Sequence, residues 1–276
     1  MKQPNPTITL TTDAYAPAQI AERVCEIGLA KVTMPVSTMI ALAILAGAFI
    51  SLGALFYTVT VTTGKGGAAI PFGLLRLAGG VTFSLGLILV VVGGAELFTG
   101  NNLIAMAWAT GCVTTRQVIR NWGWVYLGNL VGAVGTAVLV WLAGVQTLSD
   151  GAVGETMVQI ARAKVSLDPV SALARAVLCN VLVCLAVWLC MGARGVADKI
   201  LAIIFPISAF VACGFEHSVA NMYFLPIGMI LTSASAAPIP LSGVISNIAL
   251  VTVGNILGGT VLVALVYWSV YLRKTG

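Results

Sequence analysis

Apolar stretches long enough to cross a bilayer recur from about Pro35 to Leu272, separated only by short polar links. Each crossing takes about 20 residues, and no soluble core can absorb so many. Charged residues are 8% of the chain and mean hydropathy is +1.03, against roughly 25% charged residues in a soluble domain. Lipid is the solvent that such a surface needs. The reading is an all-α integral membrane protein with six spans, at about 35–61, 70–106, 122–143, 169–191, 200–232 and 243–272. Residues 1–34 form an N-terminal segment, and 35–276 the transmembrane domain. No secretory signal is expected, because no short h-region with a cleavage site precedes the first span. Within 13–32, Ile20, Val24 and Ile27 recur at helical spacing with Glu22, Arg23 and Glu26 between them. That pattern predicts an amphipathic helix that lies along the membrane face or packs under the bundle.

The net charge of +5 does not mark a nucleic-acid binder, because the basic residues form no stripe and no aromatics interleave them. They read better as a topology signal. Lys2, Arg23, Lys31, Arg116, Arg120, Arg194, Lys199, Arg273 and Lys274 fall on one side, and Lys65, Arg76, Arg162, Lys164 and Arg175 on the other. The positive-inside rule places both termini in the cytoplasm. The six cysteines show no zinc spacing and read as small buried or lipid-facing side chains. No metal and no cofactor is expected.

The second and fifth spans exceed the thickness of a bilayer core. Both are also interrupted, the second by Gly79, Gly80, Gly86, Gly93, Gly94 and Gly100, the fifth by Pro206, Gly214 and Pro226. Broken helices survive in a bilayer where the freed backbone lines a cavity or is buried in protein. The two segments match. Gly94-Ala95-Glu96-Leu97-Phe98-Thr99-Gly100-Asn101 and Gly214-Phe215-Glu216-His217-Ser218-Val219-Ala220-Asn221 share Gly, Glu and Asn at identical spacing. Gly128-Asn129 with Gly132, and Gly254-Asn255 with Gly258, repeat in the third and sixth spans. Three spans per half make an inverted repeat. Paired interrupted segments in such repeats point to a transport site near the midplane. Gly132, Gly254 and Gly258 permit close helix packing, within a protomer or between protomers.

The chain's single histidine, His217, lies in the interrupted fifth span beside Glu216. Glu216 and its match Glu96 are either pathway residues or structural groups satisfying N–H groups freed at the breaks. His217 has no match in the repeat, so function is the better reading. An imidazole suits a small weak-acid anion, which it can meet with a hydrogen bond or a shared proton. A zinc protease needs a second histidine, a haem site a second axial ligand, and a hydrolase a positioned nucleophile. No catalytic residue is expected and an intramembrane enzyme is the remote alternative. Lys164 is either a charge at an anion mouth or an ordinary surface lysine.

These two stretches, with Asn180 to Trp188 (NVLVCLAVW), Tyr126 to Gly132 (YLGNLVG) and Gly254 to Gly259 (GNILGG), resemble the formate–nitrite transporter family over nearly the whole chain. The resemblance implies an aquaporin-like protomer, although the paired Asn-Pro-Ala boxes of aquaporins are absent. It also implies a homopentamer in the cytoplasmic membrane, each protomer carrying formate, nitrite or hydrosulfide with a proton. By motif, His217 is similar to the family's central histidine, Thr99 to its partner, and Asn180 and Asn255 to pore-side asparagines. Phe83 and Phe210 resemble an outer apolar constriction, and Leu87, Phe98 and Val183 an inner one. Lys164, in an Ala-Lys-Val context, resembles a vestibule lysine. Glu96, Glu216, Asn101 and Asn221 are expected to support the helix breaks. Phe215 to Ser218 and Tyr223 to Pro226 resemble the formate branch more than the nitrite branch. The N-terminal helix resembles a segment that closes the inner mouth at low pH in some members.

Overall fold

The structure, a computed structural model, describes residues 13–64 and 70–273. Lys2, Lys65 and Lys274 of the charge pattern lie outside the described residues. The regular elements among the described residues are all helical: α1 Pro17–Thr33, α2 Val36–Val61, α3 Phe72–Gly93, α4 Ala105–Ala109, α5 Thr115–Leu142, α6 Ala152–Val165, α7 Pro169–Gly192, α8 Val196–Ala212, α9 Ser218–Thr232, α10 Leu241–Ile256 and α11 Val266–Tyr271. A 3-10 turn over Gly100–Ile104 leads into α4, and a π-helical stretch over Leu257–Leu265 joins α10 to α11. Among the described residues, five helices are long and apolar enough to cross a membrane: α2, α3, α5, α7 and the rod Leu241–Tyr271. α8 and α9 divide the remaining crossing.

Local chemistry sets the ends. Thr114 caps α5, its hydroxyl accepting from the Gln117 N–H while the Gln117 side chain returns to the Thr114 N–H, a reciprocal capping box. α5 therefore starts earlier than the apolar pattern suggested, running through what read as a polar link. Asp168 caps α7 by accepting from Ser171 N–H at 2.9 Å, with Pro169 pre-set for the first helical position. The Ser171 N–H also holds the Asp168 carboxyl below its ordinary range. Pro206 and Pro226 sit inside α8 and α9, so neither proline makes the break read from the sequence. The chain leaves the helix at Gly214. Gly79, Gly80 and Gly86 likewise lie within α3.

The close-packing glycines serve contacts inside the protomer. A Cβ on Gly132 of α5 would run into the Ile44 carbonyl of α2, and one on Gly258 into the Val177 carbonyl of α7. Gly254 meets Ala176 in the same way that Gly128 meets Ala43. Because these pairs correspond, α2 with α5 and α7 with the last span are one packing arrangement used twice.

The sequence reading missed α6, which lies in the polar connection. α1 sits at the N-terminal end of α2, where Arg120 of α5 donates to the Val32 and Met34 carbonyls. α6 sits at the opposite end, where Thr62 donates to Thr156. The protein thus has an α1 face and an α6 face.

Candidate functional site

Each half contains one break, and the two are built alike. α3 ends on Gly94, whose φ of 82° is left-handed, and the Ala95 N–H returns to Val90 O at 2.9 Å. α8 ends on Gly214 at φ 70°, and the Phe215 N–H returns to Phe210 O at 3.0 Å. Glycine takes this turn without the strain a Cβ would bring. The Glu96 N–H then reaches Leu42 O at 3.2 Å and the Glu216 N–H reaches Arg175 O at 3.3 Å.

Asparagines hold the unwound backbone. Asn129 accepts from Phe98 N–H at 2.9 Å and donates to the Ala43 and Glu96 carbonyls. Asn255 accepts from Ser218 N–H at 2.8 Å and donates to the Ala176 and Glu216 carbonyls. Of the two readings open for the glutamates, acceptance from the freed N–H groups is not what their carboxylates do: they bind side chains. Glu96 accepts from Lys31 and from Asn101 at 2.7 Å. Glu216 accepts from Lys164 at 2.9 and 3.1 Å and from Asn221 at 2.7 Å. Asn101 also donates to Asn121, and Asn221 to Asn247. Asn121 and Asn247 in turn donate to the Lys31 and Lys164 carbonyls. Each buried charge is thereby paired and hydrogen-bonded, as a low-dielectric interior demands.

Lys31 belongs to α1 and Lys164 to α6, so α1 and α6 are themselves repeat mates. The sequence signal was present: Ala30-Lys31-Val32 and Ala163-Lys164-Val165 are the same triplet.

Two cavities enter the bundle from opposite faces. The one on the α6 face has a volume of about 230 Å³ and reaches Arg76, Lys164, Arg175, Glu216 and the Phe83–Phe210 pair. The one on the α1 face, about 180 Å³, reaches Lys31, Glu96, Leu87 and Leu97. Between them lies a space of about 10 Å³ lined by Ile50, Phe83, Leu87, Leu97, Val183, Ile207, Phe210 and His217, room for one water at most. The Phe83 and Phe210 rings meet edge to face with centroids 5.4 Å apart. Apolar walls thus separate two polar mouths.

His217 stands at this divide. It is the N-cap of α9, and its Nδ1 accepts the Ala220 N–H at 3.1 Å. With Nδ1 an acceptor, the neutral ring carries its proton on Nε2. Nε2 then donates to Thr99 Oγ1 at 2.9 Å. The Thr99 carbonyl accepts from Asn180 and from the Cys184 thiol.

The structure places some candidates away from the cavities. Phe98 lines none of these three spaces. Its ring packs on Trp122 and Tyr126 of α5, and Leu97 occupies the central position assigned to it. The chain turns at Phe98 and Thr99 after leaving the helix at Gly94, so a shift of one residue exchanges a wall for a packing contact. Asn180 and Asn255 are fully buried and line none of these cavities; Asn255 binds backbone, and Asn180 donates to the Thr99 and Asn255 carbonyls and to the Asn102 side chain.

A helical bundle with inverted halves, paired broken helices and polar mouths meeting at an apolar divide defines a membrane transport protein, not an enzyme. The chain belongs to the formate/nitrite transporter family, whose model matches residues 18–269. It is 42% identical to the formate channel FocA of Escherichia coli (strain K12), over 99% of each chain. It is 40% identical to a probable formate transporter of Methanothermobacter thermautotrophicus, covering 94% of this chain and 98% of that one. Among solved structures it is similar to a pentameric formate channel with formate bound. The TM-score is 0.77 at 38% identity, covering 86% of this chain and 98% of that one. An FNT family ion channel superposes with a TM-score of 0.78 at 30% identity, covering 92% of this chain and 98% of that one.

Proposed function

We propose that the chain carries formate, a small monovalent weak-acid anion, between the two cavities past His217 and Thr99. The observation that supports this best is the Thr99–His217 hydrogen bond at an apolar divide between two polar mouths. A bare anion there would face a large desolvation cost. A solute able to accept a hydrogen bond from Nε2, or to share a proton, lowers it. Phe83 and Phe210 on one side, and Leu87, Leu97 and Val183 on the other, exclude water and large solutes.

Proton linkage at His217 follows the same geometry. Forming the imidazolium requires Nδ1 to give up the Ala220 N–H, which holds the ring neutral in the resting site. An anion arriving at Nε2 offsets that cost, so the charged ring forms only with the solute present. Lys31 and Lys164 each stand beside a cavity, where Glu96 and Glu216 balance their charge.

The relatives named as formate channels favour formate; nitrite and hydrosulfide fit the same divide. The solved pentameric relative supports a homopentamer in a lipid bilayer. The balance of basic residues supports a cytoplasmic-membrane protein with both termini, and hence the α1 face, in the cytoplasm.

The test is flux into proteoliposomes. Formate uptake should rise when an inward proton gradient is imposed, and nitrite and hydrosulfide measured alongside should be slower. Absence of flux for all three anions would overturn the proposal. Faster nitrite or hydrosulfide flux would reassign the solute.

A further inference from the structure

We propose that Arg175, with Arg76, forms a carboxylate-docking subsite in the α6-face cavity and makes transport kinetically asymmetric. The inference rests on the formate reading above and adds where the solute first binds.

The two mouths are repeat mates, so their differences are informative. Lys164 and Glu216 on the α6 face correspond to Lys31 and Glu96 on the α1 face, and each pair is a closed ion pair. The arginines break the correspondence. The repeat mate of Arg175 is Leu42, as their carbonyls show by accepting from the Glu216 and Glu96 N–H groups. The mate of Arg76, by the register that pairs Gly94 with Gly214, is Val196. Among the described residues, no carboxylate lies within 4.0 Å of either guanidinium. The lysine charge is matched by its glutamate, so the arginines carry the excess positive charge of this cavity.

Their anchoring differs. Arg76 is tied down through Nε to Ala212 O at 3.0 Å, Nη2 to Val211 O at 2.6 Å and Nη1 to the Tyr57 hydroxyl at 3.1 Å. It closes the end of α8. Arg175 makes one long contact, Nη1 to Gly214 O at 3.5 Å, and is exposed to the cavity. Both converge on Gly214, where an added Cβ would lie 3.2 Å from Arg76 Nη2 and 3.9 Å from Arg175 Nη1. Two like charges held at one point favour a shared anion. The planar guanidinium of Arg175, with donors to spare, matches a carboxylate in two-point fashion. A cavity of about 230 Å³ accommodates formate with its water.

The test compares wild type, R175L and R175K in oriented proteoliposomes, with formate supplied to each face in turn. Leucine is the residue that the mirror position carries. An exposed ion pair contributes up to about 1 kcal/mol, or about fivefold in affinity. R175L should raise the half-saturating formate concentration at the α6 face by about three- to fivefold. With no gradient the ratio of maximal rate to half-saturation is equal from both faces, so the maximal rate from the α6 face should rise in the same proportion, while both parameters at the α1 face stay at wild-type values. R175K should fall between, and high ionic strength should shrink the difference. Equal half-saturation at both faces of the wild type, or no effect of R175L, would overturn the subsite. So would an equal change at both faces, which would mean that Arg175 only braces Gly214. If the wild type carries no formate, the proposed function fails separately. The subsite is then read from the formate-induced rise in thermal stability, which R175L should shift to about three- to fivefold higher formate; a rise unchanged in R175L would overturn it.

Discussion

His217 holds two positions at once, and a pair of substitutions separates them. Nδ1 caps α9 through the Ala220 N–H, while Nε2 meets Thr99. His217→Ala removes both. Losing an N-cap acceptor costs about 1 kcal/mol, and leaving the N–H buried without a partner costs about 1–3 kcal/mol. His217→Asn keeps a cap, since asparagine is among the best N-cap residues, but its shorter side chain cannot reach Thr99. Together these are about 2–4 kcal/mol, and at about 2–4 °C per kcal/mol H217A should melt about 4–16 °C below wild type in detergent. H217N should recover at least half of that loss. In proteoliposomes both variants should lose the pH dependence of formate uptake, because both lack Nε2. Equal melting of H217A and H217N would refute the capping argument. Retained pH dependence in H217N would refute a proton link at Nε2.

Two other substitutions test the scaffold. Lys164→Met strands the buried Glu216 carboxylate with only Asn221 as donor, a loss of about 3–5 kcal/mol. The double variant K164M/E216Q should recover most of it in thermal melts, and additive losses would refute the coupling. Gly132→Ala drives a methyl into the Ile44 carbonyl and should abolish monodisperse protein in size-exclusion chromatography, whereas Gly135→Ala, with nothing within 4 Å of its added carbon, should be tolerated. Comparable yields for the two would count against the packing account.

The spans and the paired breaks were legible because glycine, glutamate and asparagine are rare enough in apolar segments for their spacing to register. α6 was not, because a short amphipathic helix on a membrane face carries too little apolar signal to stand out from a polar link. Its kinship with α1 rested on one triplet, Ala-Lys-Val. The central position of Leu97 was illegible for a different reason. Once the chain leaves the helix at Gly94, the direction of each side chain depends on dihedral angles that periodicity does not encode. An apolar residue among apolar residues offers no other mark, and Phe98 was assigned the wall that Leu97 forms. The asparagines were legible as important, and the structure adds the bonds they make. In lipid the unwound backbone needs partners, and Asn129 and Asn255 meet that need with all their side-chain bonds.

The inverted repeat also explains why so few positions need carry the chemistry. Two broken helices impose the same backbone requirement twice, and the residues that meet it are therefore the same twice: Gly94 and Gly214, Glu96 and Glu216, Asn129 and Asn255, Lys31 and Lys164. A residue that serves the solute is under no such constraint. The positions where the halves differ around the divide are Leu97 against His217, Phe98 against Ser218 and Thr99 against Val219. The one polar contact at the divide joins Thr99 of the first half to His217 of the second. Neither half alone could build it. A scaffold that repeats and a site that does not are what remain when one arrangement must hold the backbone in lipid and a single solute must pass through its centre.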